Sequence, residues 1–237
     1  MLNNLHSVSD GNPGFNRGIL SKRILDCTLI GIGIPLIIPA MILIALWIIL
    51  ASPGPLLFRQ ERIGHKGKKF RIYKFRSMKV DSYHDRYEKH VKDLLRSNCK
   101  MTKLDQLGDD RIIPGGYLLR STGLDELPQL FNILRGEMSL VGPRPCLPEE
   151  YDFLSPRQKE RVAGLPGLTG SWQVNGKNHL TFSEMIRMDI DYLRRSSLLL
   201  DIEILIRTPL ALWSQVRSVT RLKLLTGILF DTKTSDR

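Results

Sequence analysis

Residues 120–145 read RSTGLDELPQLFNILRGEMSLVGPRP, and the organisation of the whole chain follows from this stretch. Two adjacent acids, Asp125 and Glu126, lie between two arginines, Arg120 and Arg144. Pro128 comes next, followed by Leu130, Phe131, Ile133 and Leu134 at helical spacing. Proline is tolerated best in the first turn of a helix, so the spacing predicts a helix whose N-terminus lies at the acids. The dipole and unpaired N–H groups there favour a carboxylate. An ionised aspartate is a competent nucleophile toward phosphorus, and a neighbouring carboxylate can hold a divalent ion. Acids at helix starts are more often caps, however, and Thr122 with Asp125 has the spacing of a capping box. On the acids alone, the cap is the better reading.

The residues that follow shift that balance. In Gly142, Pro143, Arg144 and Pro145, each proline locks its own φ and restricts its predecessor, so the backbone on both sides of one arginine is fixed. A surface arginine needs no such frame; one that must meet a phosphate at a set angle does. The stretch resembles the bacterial sugar transferase family, the monotopic phosphoglycosyl transferases of polysaccharide and glycoconjugate assembly. Residues 124–130, 135–139 and 141–145 carry the match.

Working outward, 237 residues at 42% hydrophobic content suffice for one domain plus an accessory segment. A formal charge of +11 calls for anionic partners: nucleic acid, phospholipid headgroups or a phosphorylated substrate. Cys27, Cys99 and Cys146 are scattered and form no CxxC, which suits a reducing compartment and argues against a disulfide framework or a zinc site. Residues 1–20 look like a flexible tail, with no cleavable signal evident. Residues 27–58 carry no charge, about 30 positions against the ~20 that span a bilayer. Basic residues flank this run on both sides: Arg17, Lys22 and Arg23 before it, Arg59, Arg62, Lys66, Lys68, Lys69 and Arg71 after. One crossing cannot keep both flanks in the cytoplasm, whereas a helix that enters, breaks near Pro39 and returns can. The pattern also admits a single kinked span. The resemblance implies the re-entrant form, with Lys22, Arg23, Asp26 and Pro39 matching the family's membrane helix.

After a turn at residues 52–55, alternation of Phe70, Ile72, Tyr73 and Phe75 with basic residues predicts a short β-hairpin with one basic face. Such a strand by itself suits anionic lipid, or single-stranded nucleic acid. Its resemblance to the family's YKFR(S/T)M motif implies that Lys74 or Arg76 reaches substrate phosphate. Residues 81–110 form a charged, helical-looking insert without nameable chemistry. Residues 165–178 read alone as an ordinary glycine-rich loop. They resemble the family's PG(L/I)TG…QVNGRN segment, which adds Gln173 and Asn175 as secondary candidates and puts Lys177 where arginine is commoner. Asp189 and Asp191 form a DxD whose carboxylates diverge on a helix, although Asp189 matches an acid the family retains. Residues 198–216 are apolar but broken by Asp201, Glu203, Arg207 and Pro209. That suits an interfacial helix with Trp213 at headgroup depth, or a core helix.

The resemblance implies an α+β, mostly helical fold: a re-entrant membrane helix hairpin attached to a small cytosolic catalytic domain with a short β-hairpin and interfacial amphipathic helices. The expected division is a tail at 1–20, the membrane hairpin at 21–58, the catalytic domain at 59–196, an interfacial helix at 197–220 and a tail at 221–237. The implied reaction moves a sugar 1-phosphate from a UDP-sugar to polyprenyl (undecaprenyl) phosphate through an adduct on Asp125. UMP is released at the cytoplasmic face of the bacterial inner membrane. Glu126 would hold part of a Mg²⁺ ion, while Arg120 and Arg144 offset repulsion between anions. Membrane lipids are expected partners and nucleic acid is not. Gly123 and Ser196 depart from the residues common in the family. Two other classes compete: a membrane-tethered basic module binding lipid or nucleic acid, and a metal-dependent glycosyltransferase centred on Asp189 and Asp191.

Overall fold

The computed structural model describes residues 13–79, 111–176 and 180–231, with side chains described from residue 20 to 217 within those ranges. The 81–110 insert, Cys99, Lys177 and the outermost residues of both tails lie outside the described residues.

Helix α1, Pro13–Ala51, starts inside the segment read as a tail and runs through Pro35 and Pro39. The break expected near Pro39 is therefore not a break in the helix. Each proline removes one i→i−4 donor, and the two stand four residues apart, so both gaps fall on one side and the remaining ladder carries the helix on. Its apolar part, Leu20–Ala51, is long enough to cross a membrane. Yet one face of it packs on the rest of the protein along its whole length. Ile30 is buried with Ile72, Leu130, Ile133 and Met138, and Ile37 packs against the same cluster. A turn further on, Met41 and Ile44 pack against a second cluster, where Ile48 is buried with Phe75, Ile113 and Leu119. The opposite face, including Ile32, Leu36, Leu43 and Leu50, is exposed.

Polar contacts hold both halves. The Arg23 guanidinium donates to the Ile133 and Leu134 carbonyls, and the Trp47 indole N–H to the Pro114 carbonyl at 3.1 Å. Ser139 Oγ and the Leu140 amide donate to Asp26 at 2.7 and 3.2 Å. Lys22 Nζ reaches Asp201 at 2.6 Å and the Tyr192 hydroxyl at 3.0 Å. Tyr192 donates in turn to Asp201 at 2.5 Å. Burial and then Asp201 push the Tyr192 hydroxyl far up, so it remains a donor.

Strands β1, Leu57–Ile63, and β2, Lys69–Phe75, form the expected antiparallel hairpin, with Leu57 opposite Phe75 and Ile63 opposite Lys69. Helix α2, Gly116–Thr122, leads into a 3-10 helix, Leu124–Gln129, and then α3, Leu130–Leu134. Pro128 brings no N–H and its ring crowds the carbonyl four residues back, and residues 124–129 take the tighter 3-10 turn. A parallel pair, β3 at Ser139–Val141 and β4 at Gly167–Thr169, was not legible in the sequence. Glycines permit it: a Cβ on Gly167 would lie 2.0 Å from the Gly142 nitrogen.

Short helices α4, Pro148–Phe153, and α5, Ser171–Val174, precede α6, Phe182–Arg195, which is capped by Thr181 and Glu184. Phe182, Met185, Ile186 and Ile190 of α6 bury against Leu154 and Trp172. Helix α7, Leu198–Asp231, runs into the segment read as a second tail. Its inward row carries Asp201, Ile204 and Gln215, all buried. Its outward row, Leu199, Ile202, Ile206, Leu210 and Trp213, is exposed, with Leu199 at 81%. The helix is thus apolar on both sides: Ile204, Leu200 and Leu205 pack inward beside the buried Asp201, and a second apolar stripe faces outward.

Candidate active site

The acids occupy a turn that only glycine makes easily. Gly123 adopts φ 73°, ends α2 and delivers Leu124 into the 3-10 helix. Asp125 is 6% exposed. Glu126 accepts an ion pair from Lys74 Nζ at 2.6 Å. The capping-box reading fails here: Thr122 Oγ1 donates back to the Leu118 carbonyl at 2.7 Å, and no side chain caps the 3-10 helix. Just past β2, Ser77 Oγ accepts from Arg120 at 3.3 Å. One end of the hairpin thus gathers Lys74, Glu126 and Arg120 around the turn that carries Asp125.

Arg76 does something else. Its buried guanidinium donates to the Pro53 and Ser52 carbonyls at 2.5 and 2.6 Å. The arginine expected to reach phosphate therefore clasps the C-terminal exit of α1.

Arg144 sits on a segment fixed from four directions. The carbonyls of residues 143–146 each accept a bond from a different donor: the Gly167 amide at 2.8 Å, Arg161 Nη2 at 3.1 Å, Arg62 Nη1 at 3.3 Å and the Ile63 amide at 2.9 Å. The half-buried Arg144 side chain lines a pocket with Glu150, Arg161, Trp172, Phe182 and Met185. Neither Arg62 nor Arg161 stood out in the sequence, where each is one charge in a charged run.

The secondary candidates make hydrogen bonds within the protein. Asp189, 1% exposed, accepts from Arg161 Nη2 at 2.6 Å. Burial pushes its carboxyl up to about 6, against the lowering pull of Arg161 and Arg144. Asp191 lies on α6 two residues away, about 200° around the helix, so the DxD does not converge on a cation. Gln173 donates to the Leu168 carbonyl at 3.3 Å. Asn175 donates to the Ser171 carbonyl at 2.9 Å and accepts from Arg207 of α7 at 2.6 Å.

Among the described residues, no cluster of three or more His, Cys, Asp or Glu could hold a metal unaided. Glu126 nonetheless suits a hard cation that takes one or two carboxylate oxygens and completes its shell with substrate phosphate oxygens, as Mg²⁺ does.

The site is thus a basic hairpin end around two acids, on a body clasped to a long apolar helix. The chain is a member of the bacterial sugar transferase family, whose pattern matches residues 17–215. It is 42% identical over 197 residues to the UDP-glucose:undecaprenyl-phosphate glucose-1-phosphate transferase of Caulobacter vibrioides, covering 80% of this chain and 68% of that protein. It is 42% identical over 193 residues to the galactosyl transferase CpsE of Streptococcus agalactiae, covering 80% of this chain and 41% of that protein. With the exopolysaccharide production protein ExoY of Rhizobium meliloti it shares 34% over 193 residues, 81% of this chain and 84% of that one. The chain thus spans only about 40% of the longest of these relatives.

Proposed function

We propose that this protein moves a sugar 1-phosphate from a UDP-sugar to undecaprenyl phosphate. The supporting observation is the buried Asp125 beside the Lys74–Glu126 pair at the end of a basic hairpin. Substrates named for its relatives, UDP-glucose and undecaprenyl phosphate, carry the phosphates such a cluster handles.

In the first half-reaction an Asp125 carboxylate oxygen attacks the phosphorus that bears the sugar. The bond between that phosphorus and the bridging oxygen breaks, and UMP leaves with the electron pair. In the second, an oxygen of the lipid phosphate attacks the same phosphorus. The bond to Asp125 breaks, the carboxylate is restored, and undecaprenyl diphosphosugar is the product. Lys74, Arg120 and Arg144 offset the repulsion between the approaching anions. Mg²⁺, held partly by Glu126, would add charge neutralisation on the diphosphate.

The acceptor stays in its leaflet, so the site must sit at the membrane surface. The outward faces of α1 and α7 supply apolar surface for that seat. Both halves of α1 pack on the same body, which supports a helix that dips in and keeps both basic flanks on the cytoplasmic side. A simple crossing would carry one end away.

The experiment is to supply UDP-glucose or UDP-galactose with undecaprenyl phosphate and identify the released nucleotide. UMP is expected. Release of UDP instead, or no release with either donor, would remove this reading.

A further inference from the structure

The segment around Arg144 has little to bond with, because Pro143 and Pro145 bring no N–H. Its carbonyls do the holding, and two of the four donors are guanidinium groups in the protein interior. Arg161 is 4% exposed and Arg62 5%. Burying a cation is costly unless it is paired and fully bonded. Arg161 is paired, through one edge of its guanidinium: the same Nη2 that donates to the Arg144 carbonyl also lies 2.6 Å from Asp189 Oδ2, while its buried Nε has no partner. A link that only joined the 3-10 helix Gln158–Val162 to α6 would be met as well by apolar side chains. A hydrogen bond to one chosen carbonyl would not.

We propose that Arg161, oriented by Asp189, is a positioning residue for Arg144. It fixes the peptide that follows Arg144 and so the direction in which that guanidinium leaves the backbone. Asp189 on α6 reaches Arg144 by two routes, directly at its backbone and through Arg161 at its carbonyl, and the Arg144 side chain then meets substrate phosphate. This rests on the reading of Arg144 as a phosphate-binding residue. Arg62 pins the next carbonyl from the hairpin side, so loss of Arg161 turns the segment rather than releasing it.

The test is a double-mutant cycle on the full chain in detergent or nanodiscs, reading UMP release against donor concentration alongside thermal unfolding. Asp189→Asn is expected to lower kcat/KM for the donor at least tenfold per folded molecule. In an Arg144→Ala background the same change is expected to cost less than twofold, because there is no guanidinium left to aim. A purely structural tie predicts the same loss in both backgrounds, and that result, or a silent Asp189→Asn, overturns the proposal. Should Asp189→Asn not fold, Arg161→Lys takes its place in the same cycle, since lysine keeps the charge but not the planar reach. An Arg144→Ala protein with unchanged turnover sinks the phosphate reading of Arg144 itself, and the positioning role with it.

Discussion

Lys74 Nζ lies 2.6 Å from the Glu126 carboxylate, joining β2 to the turn that carries Asp125. The two side chains are 24% and 33% exposed, and pairs this open contribute within ~1 kcal/mol to stability. In the proposed reaction the pair's value lies in chemistry: it would keep a cation beside the acids until phosphate arrives. Lys74→Met is therefore expected to shift the melting temperature by only a few degrees while lowering UMP release at least tenfold. A variant that melts early but turns over normally per folded molecule would make this pair a strut.

Arg76 gives the opposite expectation from a neighbouring position. Arg76→Met leaves the buried Ser52 carbonyl without its donor, a loss of about 1–3 kcal/mol, while the carbonyl of the exposed Pro53 can turn to water. The melting temperature should fall by several degrees, with the donor KM of the surviving enzyme unchanged. A raised donor KM at unchanged stability would return Arg76 to the substrate.

These two neighbours show what a sequence reveals. The hairpin was legible because its alternation is local, and α7 in part because residues 198–216 are apolar yet broken by Asp201, Glu203 and Arg207. The acids between two arginines were legible from residue type. The destination of each side chain was not. Lys74 and Arg76 share a basic run, yet one meets Glu126 and the other the end of α1. The β3–β4 pair escaped because three-residue strands have no period to read. Arg161 escaped, as did the partners of Asp189 and Asp201, because the contacts join residues distant in sequence. Lys22, Arg23 and Asp26 were matched as membrane-helix residues, and the structure shows them clasping the globular body.

The clasp at both halves of α1 carries a topological expectation. If the helix dips and both flanks stay in the cytoplasm, cysteines placed at Asn4 and at Lys66 should both resist a membrane-impermeant maleimide added to spheroplasts, and both should label after lysis. Strong labelling of the Asn4→Cys protein in intact spheroplasts would establish a crossing helix.

The two acids can be told apart by what each variant keeps. If Asp125 is the nucleophile, as proposed, Asp125→Asn preserves shape and removes it, because an amide cannot form the acyl phosphate. It should lose turnover and adduct together. Glu126→Gln leaves Asp125 intact and takes away the carboxylate that pairs with Lys74 and suits a cation. Its adduct should form slowly and recover in part at high Mg²⁺, since added cation offsets weakened affinity. The measurement is intact-protein mass after incubation with donor alone, without lipid acceptor. A two-step enzyme gains the phosphosugar mass under that condition, and a direct-displacement enzyme gains nothing. An adduct that persists in Asp125→Asn would move the nucleophile to another residue. Its absence from the wild-type protein at saturating donor would replace the two-step mechanism with direct attack by the lipid phosphate.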